Sequence, residues 1–353
     1  MLISLLKRSK AYPCYSHSLL FSSSSKNQYD VRKVGVVGLG LMGHGVAQVT
    51  SQAGYEVIAI ETNKDALEIG MKRIKDSLGK VIARSLKKGE ITEAQGIEKI
   101  EEVISRITPT IDMNTARDCD IIVEAIAENM DLKLDFYKKL GSIIDPKCIF
   151  ASNTSSLQIT AMGKASARPE RFAGLHFFNP VQIMKLVEVI RTENTSDDTY
   201  KKLVDYSKAI GKTVVTCGDT PGFIVNRLLV PYLAQAMAMV DRKVASVPDI
   251  DVSMQLGAGH PMGPLHLADY IGLDTCLSIL VGWRKDFPDE TAFILPDVLV
   301  KLVGEGHMGR KSGAGFYEWD GDKIGKSRFW YLINKISQGA LIQEPTSTQN
   351  RSS

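Results

Sequence analysis

The stretch Lys33-Val34-Gly35-Val36-Val37-Gly38-Leu39-Gly40-Leu41-Met42-Gly43 decides the fold. A short apolar run of strand character leads into three glycines spaced G-x-G-x-x-G. A helical pattern then continues to Ala53, where Gly54 supplies a residue that tolerates the left-handed conformation at a helix end. A second apolar run, residues 56–60, ends on the acid Glu61. Strand, glycine turn, helix and strand in that order predict a parallel, right-handed βαβ unit.

The glycine spacing is weak evidence alone and strong in this context. Gly38 allows a tight turn, Gly40 lets the backbone approach a pyrophosphate, and Gly43 lets the helix pack on the strand. The helix N-terminus offers N–H groups and a positive dipole end to that pyrophosphate. Glu61, eighteen residues beyond Gly43, can accept hydrogen bonds from a ribose 2′-hydroxyl and would repel a 2′-phosphate. The expected cofactor is therefore NAD rather than NADP.

Outward from this unit, an unusually long crossover over 65–105 reads as two helices broken near Gly89. Further strands are predicted at 105–108, 121–124, 149–152, 171–178, 186–190 and 213–216, with helices around 132–144 and 199–210. The alternation stops near Asp219. Asp219-Thr220-Pro221-Gly222 is a turn, with proline placed near a helix start. Helical patterns follow at 223–242, 248–256, 263–285 and 295–304, with no convincing strand. The expected fold class is α/β: a Rossmann-type dinucleotide-binding domain over 30–217, then an all-helical C-terminal domain over 218–319. Residues 320–353 form a tail of unknown role, with a short helix predicted at 329–336.

Of the 353 residues, 44% are apolar, enough to fill two cores. No stretch approaches the roughly 18 uninterrupted apolar residues of a membrane helix, so no membrane span is expected. The net charge of +3 is unevenly placed: residues 1–29 carry Lys7, Arg8, Lys10 and Lys26 and no acid, leaving −1 for the rest. The body is thus not basic, which argues against nucleic acid as a partner. The leading segment mixes cations, serines and apolar residues, the composition of a mitochondrial targeting segment, the alternative being an unstructured tail. Five scattered cysteines with no C-x-x-C pair predict neither a disulfide framework nor a metal site, but packed thiols.

His176 lies in an apolar run that ends in Phe177-Phe178-Asn179-Pro180, and Glu188 lies twelve residues on within Lys185-Leu186-Val187-Glu188-Val189-Ile190. A turn at 179–182 could set these two strands side by side. An acid among apolar neighbours needs a partner, and His176 is the natural one. Such a pair makes a general base, the carboxylate fixing the tautomer and stabilising the imidazolium. The residues alone leave a structural pair equally open; the dinucleotide unit tips the reading toward catalysis, because oxidising an alcohol needs a base. Two polar clusters could hold a reacting oxygen: Ser152-Asn153-Thr154-Ser155-Ser156, after a strand, and Asn226, early in a helix. Each taken singly also reads as a turn residue or a helix-start hydrogen bonder.

Four segments occur together in order: 38–43, 152–157 (Ser-Asn-Thr-Ser-Ser-Leu), 176–180 (His-Phe-Phe-Asn-Pro) and 219–227 (Asp-Thr-Pro-Gly-Phe-Ile-Val-Asn-Arg). The ordered set resembles the L-3-hydroxyacyl-CoA dehydrogenase family over residues 32 to about 319. The resemblance implies NAD-dependent oxidation of (S)-3-hydroxyacyl-CoA to 3-oxoacyl-CoA in fatty acid β-oxidation. It implies His176 as base, Glu188 as its orienting partner, and Ser155 and Asn226 as contacts of the reacting oxygen. Glu61 would bind the adenosine ribose, and Glu128, Lys133, Ser155, Asn179 and Lys311 would be further cofactor contacts. A homodimer paired through the helical domain, in the mitochondrial matrix, is the implied assembly and location.

The resemblance also bears on the long crossover. Residues 69–88 hold Lys72, Arg73, Lys75, Lys80, Arg84, Lys87 and Lys88 against one acid, Asp76. Arg73, Ser77, Lys80, Arg84 and Lys87 share a helical face that could hold the phosphates of CoA, though a solvated basic face has the same pattern. In the resembled family a serine and a lysine here bind CoA; this chain has Ser77 but Arg84 in the lysine's place, which keeps charge and changes geometry. His44 stands where that family often has a small residue, and reads as a neighbour of the cofactor. The competing functions are a dehydrogenase of a free hydroxy acid or sugar acid, of the gulonate type, and a catalytically silent NAD-binding protein of the crystallin kind.

Overall fold

The computed structural model describes residues 31–328 and divides them into two compact units. The first holds the residues up to Thr154 together with Ile159–Gly218; the second holds Ser155–Gln158 and the chain from Asp219 onward. Residues predicted to form the targeting segment, and the helix predicted at 329–336, lie outside the described residues.

The first unit is built on β1 (Lys33–Val37), β2 (Glu56–Ile60), β3 (Ile107–Thr110), β4 (Ile121–Glu124), β5 (Ile149–Ser152), β6 (Phe172–Phe177), β7 (Leu186–Arg191) and β8 (Thr213–Gly218). They form one sheet in the order β3-β2-β1-β4-β5-β6-β7-β8. Pairings from β3 through β6 are parallel, β6 with β7 is antiparallel, and β7 with β8 is parallel again. β4, β5 and β6 are buried along their whole length, which suits the continuous apolar runs of a sheet covered on both faces. Val34, Val36, Val57, Val123, Ala151, Leu175 and Val189 meet in its core. The parallel α/β architecture expected from the βαβ signal is what forms.

Helix α1 (Gly43–Gln52) follows β1, and the β2-to-β3 crossover carries α2 (Lys64–Lys87) and α3 (Glu93–Ser105). Two helices are needed because each has its own start signal. Asn63 accepts the N–H of Ala66 at 2.9 Å, and Thr92 with Gln95 forms a reciprocal capping box. On α2 only Gly70, Ile74, Leu78, Ile82 and Ser85 are buried, a narrow stripe at helical spacing that leaves its cations outside. Helices α4 (Met130–Ile143), α5 (Ile159–Ala165) and α6 (Asp197–Ala209) complete the unit.

The second unit contains α7 (Val225–Asp241), α8 (Val247–Ala258), α9 (Pro264–Ile271), α10 (Leu273–Asp286) and α11 (Asp297–Gly304) around Leu233, Met237, Leu265, Leu273, Leu280 and Leu299. Two features correct the sequence reading. The single helix predicted over 263–285 is broken at Gly272, which has φ 108°, and α9 and α10 diverge by 92°. The unit is not purely helical: β9 (Tyr317–Asp320) and β10 (Lys323–Ser327) form an antiparallel hairpin, part of it in the stretch read as a tail. Its inward side chains, Tyr317 and Trp319, join the helical core. Among the described residues no single helix is long and apolar enough to cross a membrane.

Candidate functional site

The glycine turn has a distinct role at each position. Gly38 has φ 87°, and a Cβ there would lie 2.7 Å from the Ala125 carbonyl oxygen. A Cβ on Gly43 would lie 1.7 Å from the Gly38 carbonyl oxygen, so α1 can only seat on the turn with glycine there. A Cβ on Gly40 would meet nothing within 4 Å, an open cradle at the carboxyl end of β1. Met42 provides no side-chain cap to α1 and no acid lies in its first turn, whereas Asn63, Thr92, Asn129, Ser196 and Ser246 cap α2, α3, α4, α6 and α8. A turn with an open glycine and a helix start without a capping side chain fits a dinucleotide pyrophosphate. Glu61 accepts the N–H of Leu39 at 2.6 Å and that of Thr62 at 3.1 Å, which holds its carboxylate against the glycine turn. His44 is half-buried and its Nδ1 lies 2.7 Å from the Gly40 carbonyl oxygen.

His176 and Glu188 face each other across the antiparallel β6–β7 pair as register partners. His176 is 4% exposed, Glu188 is fully buried, and Nδ1 lies 2.7 Å from Oε2. A carboxylate can only accept, so Nδ1–H donates and the basic lone pair lies on Nε2. The Phe178 ring stands 4.5 Å from the imidazole, centroid to centroid. Asn153, just past β5, accepts the N–H of Phe177 at 2.8 Å and so ties the exit of β5 to the residue after His176.

Glu128 and Lys133 lie together: Lys133 Nζ is 3.3 Å from Glu128 Oε2, and Thr154 Oγ1 donates to Glu128 Oε1 at 2.6 Å. Lys133 is only 1% exposed, however, and its nearer partner is Glu124 at 2.6 Å. Glu124 drew no functional reading from the sequence; its signal was an acid closing the apolar run Ile121-Ile122-Val123. Asn179 is exposed beyond β6. On α2, Ser77 is half-buried while Arg73, Lys80 and Arg84 are exposed; Arg73 reaches the Leu39 carbonyl at 3.4 Å. Among the described residues, no ion pair is found for Lys72, Lys80, Arg84 or Lys87.

In the second unit, Asn226 Nδ2 donates to the Ser155 carbonyl oxygen at 3.4 Å, so two of the predicted oxygen-binding residues are neighbours. Lys311 pairs with Asp274 at 2.5 Å. Two buried acids there also drew no reading from the sequence. Asp251 accepts from Leu265 N, His266 N and Tyr317 Oη, and Asp269 from Phe316 N, Tyr317 N and Trp319 Nε1.

Cys119, Cys148 and Cys276 are buried and unpaired with one another. Burial pushes the Cys119 and Cys276 thiols up to about 12, so they stay protonated and unreactive near neutral pH. No group of three or more His, Cys, Asp or Glu among the described residues could hold a metal ion.

Residues 33–220 match the family described as 3-hydroxyacyl-CoA dehydrogenase, NAD binding domain, and residues 222–319 match its C-terminal domain. The chain is similar to human mitochondrial hydroxyacyl-coenzyme A dehydrogenase, with 46% identity over 303 residues, 84% of this chain and 94% of that protein. A probable 3-hydroxybutyryl-CoA dehydrogenase of Bacillus subtilis is 43% identical over 82% of this chain and 98% of its own length. The crystal structure of (S)-3-hydroxybutyryl-CoA dehydrogenase from Ralstonia eutropha superposes with a TM-score of 0.77 at 38% identity, covering 82% of this chain and 99% of that one.

Proposed function

The chain belongs to the 3-hydroxyacyl-CoA dehydrogenase family and is an NAD-dependent oxidoreductase; from that premise we propose that it oxidises (S)-3-hydroxyacyl-CoA to 3-oxoacyl-CoA as a step of fatty acid β-oxidation. The observation that carries the reading is the buried His176–Glu188 pair, in the sheet whose first strand leads into the open glycine turn.

NAD supplies the hydride acceptor. Gly38, Gly40, Gly43 and the start of α1 hold its pyrophosphate, Glu61 its adenosine ribose, and Glu128, Lys133, Ser155, Asn179 and Lys311 complete its contacts. His176 Nε2 takes the hydroxyl proton of the substrate. Glu188 holds Nδ1–H and balances the charge the ring acquires, so the ring need not turn or draw in water. Ser155 and Asn226 bind the reacting oxygen.

The face of α2 that carries Arg73, Ser77, Lys80 and Arg84 holds the phosphates of CoA. The exposure of its cations and the lack of acid partners for them among the described residues support this. Phosphates remote from the reacting carbon are held alike in the ground and transition states. Charge reversal at Lys80 and Arg84 therefore raises KM for the thioester more than it lowers kcat, and added salt mimics it. A double variant that behaves as the parent at low and high salt would leave this face merely solvated.

The mitochondrial names of several relatives support a mitochondrial location, and the cation- and serine-rich residues 1–29 support import to the matrix. Exposed Leu228, Val244 and Leu256 on the second unit support pairing of two copies through it.

The test is NADH formation by the purified protein with 3-hydroxyacyl-CoA thioesters of several lengths, beside the free 3-hydroxy acids and a sugar acid. Turnover confined to thioesters is expected. Equal turnover of the free acids would replace the substrate class, and no turnover on any of them would leave a silent NAD-binding protein.

A further inference from the structure

Glu124 ends β4 and its side chain is fully buried. Its two oxygens receive four donors. Oε1 accepts Ile126 N at 2.8 Å and Lys133 Nζ at 2.6 Å; Oε2 accepts Ser152 Oγ at 2.7 Å and Tyr137 Oη at 3.0 Å. Four acceptor positions is about what a carboxylate has, so the group is saturated. A buried charge is tolerated on such terms, paired and with its lone pairs filled.

The donors come from three places around the carboxyl end of the sheet. Glu124 stands in register with Val37 at the end of β1 and with Ser152 at the end of β5. Between β1 and β4 the strand order reverses, the crevice where open α/β sheets bind their ligands. The bond from Ile126 N fixes the Ala125–Ile126 turn. That turn is the surface on which the glycines rest: the Ala125 carbonyl oxygen would be 2.7 Å from a Cβ on Gly38, and the Ala125 Cβ 3.3 Å from one on Gly43. On the other side, Lys133 bridges from Glu124 to the half-exposed Glu128, which also takes Thr154 Oγ1.

We propose that Glu124 is a positioning residue for NAD: its carboxylate fixes the Ala125–Ile126 turn under the glycine loop and, through Lys133, holds Glu128. The inference rests on NAD being the cofactor. Glutamine in its place can keep its oxygen on Ile126 N and Lys133 and turn its amide toward the hydroxyls of Ser152 and Tyr137, which can accept, so it only weakens the hold on Lys133; alanine removes the acceptor of both the turn and Lys133. Losing one hydrogen bond to a charged group costs about tenfold or more in affinity.

The experiment measures NADH binding by fluorescence titration without substrate, together with thermal unfolding, for the parent protein, Glu124→Ala, Glu124→Gln and Tyr137→Phe. Tyr137→Phe removes one donor from the same cluster but touches neither the turn nor Glu128. The expected result is an NADH Kd raised about tenfold or more in Glu124→Ala, raised by a smaller factor in Glu124→Gln, and within about threefold of the parent in Tyr137→Phe. At saturating NAD, Glu124→Ala should recover most of its kcat with KM for the thioester unchanged. Glu124→Gln keeps the shape of the cluster, so it keeps the test open should Glu124→Ala fail to fold. Parental NADH affinity in a folded Glu124 variant, whatever its melting temperature, overturns the proposal. So does a Tyr137→Phe loss as large as that of Glu124→Ala, which would make the effect general destabilisation. Failure of the parent itself to bind NADH would instead remove the cofactor reading.

Discussion

Both units bury carboxylates, and they satisfy them differently. In the first, Glu188 and Glu124 each meet a side chain that carries or acquires positive charge, His176 at 2.7 Å and Lys133 at 2.6 Å. In the second, Asp251 and Asp269 meet backbone N–H groups, a phenol and an indole, all between 2.7 and 3.0 Å. Burial pushes both aspartic carboxyls above the ordinary range, while the donors on each pull the other way. Fixed neutral donors accept no proton, so these two acids serve as pins. Asp251, on α8, holds the first turn of α9, and Asp269, on α9, holds the Phe316–Trp319 segment. A carboxylate beside an imidazole, as Glu188 is, can take part in proton transfer; one saturated with donors, as Glu124, Asp251 and Asp269 are, organises chain. Burial alone does not separate the two cases, and the chemistry of the partner does.

The largest effect that could break this contrast is at His176. General-base assistance is typically worth about 10²–10⁴ in rate, so His176→Gln should lower kcat by that order with NADH affinity within about threefold of the parent. Glu188→Gln should also lower kcat, and the double variant should lose little more than His176→Gln alone, because the two act as one unit. Near-parental turnover in His176→Gln would make the pair a pin like the others. Additive losses would separate Glu188 from the base.

Asp269→Asn sharpens the other side. It faces one of three donors with another donor, and an unsatisfied buried group costs about 1–3 kcal/mol. Denaturant unfolding should therefore show a loss of about 2–3 kcal/mol, with kcat per folded molecule within about twofold of the parent. A fall in kcat without a fall in stability would place this acid in the chemistry.

The smallest effect tests an exception in the first unit. Lys212 is 8% exposed, and its ammonium donates to the carbonyls of Val181 and, at 2.8 Å, Met184, with no acid among these contacts. Burial, and then repulsion from Lys185, lowers its pKa to about 8. A depressed folded pKa means the folded state sheds the proton first. The stability so contributed is full above the ordinary lysine pKa and is lost as pH falls through about 8. Between pH 7 and pH 10 the parent should thus gain about 1–2 kcal/mol over Lys212→Met, a linkage of about 1.36 kcal/mol per unit reduced by water reaching the ammonium. A difference that is flat over that range would mean that the ammonium stays charged in both states.

The elements that short-range patterns control were legible before folding. The glycine spacing, the apolar runs of β1 and β2, the two-helix crossover and the facing of His176 and Glu188 across a short turn all involve residues close in the chain, where period and turn chemistry suffice. The hairpin β9–β10 was legible in part: Tyr317-Glu318-Trp319-Asp320 alternates and Gly321 has φ 59°, but two short strands carry little signal beside the helices before them. The break at Gly272 was not, because the apolar pattern runs unbroken through it and an isolated glycine ends a helix only where packing turns the chain.

Glu124, Asp251 and Asp269 show what folding alone decided. Each reads in the sequence as one acid near apolar residues. Their partners lie up to 28, 66 and 50 residues away, and no local period joins them. Whether a buried acid becomes half of a base or a pin depends on which donors tertiary packing brings to its two oxygens, because in a dry interior the partner sets both the cost of the charge and where a proton can go.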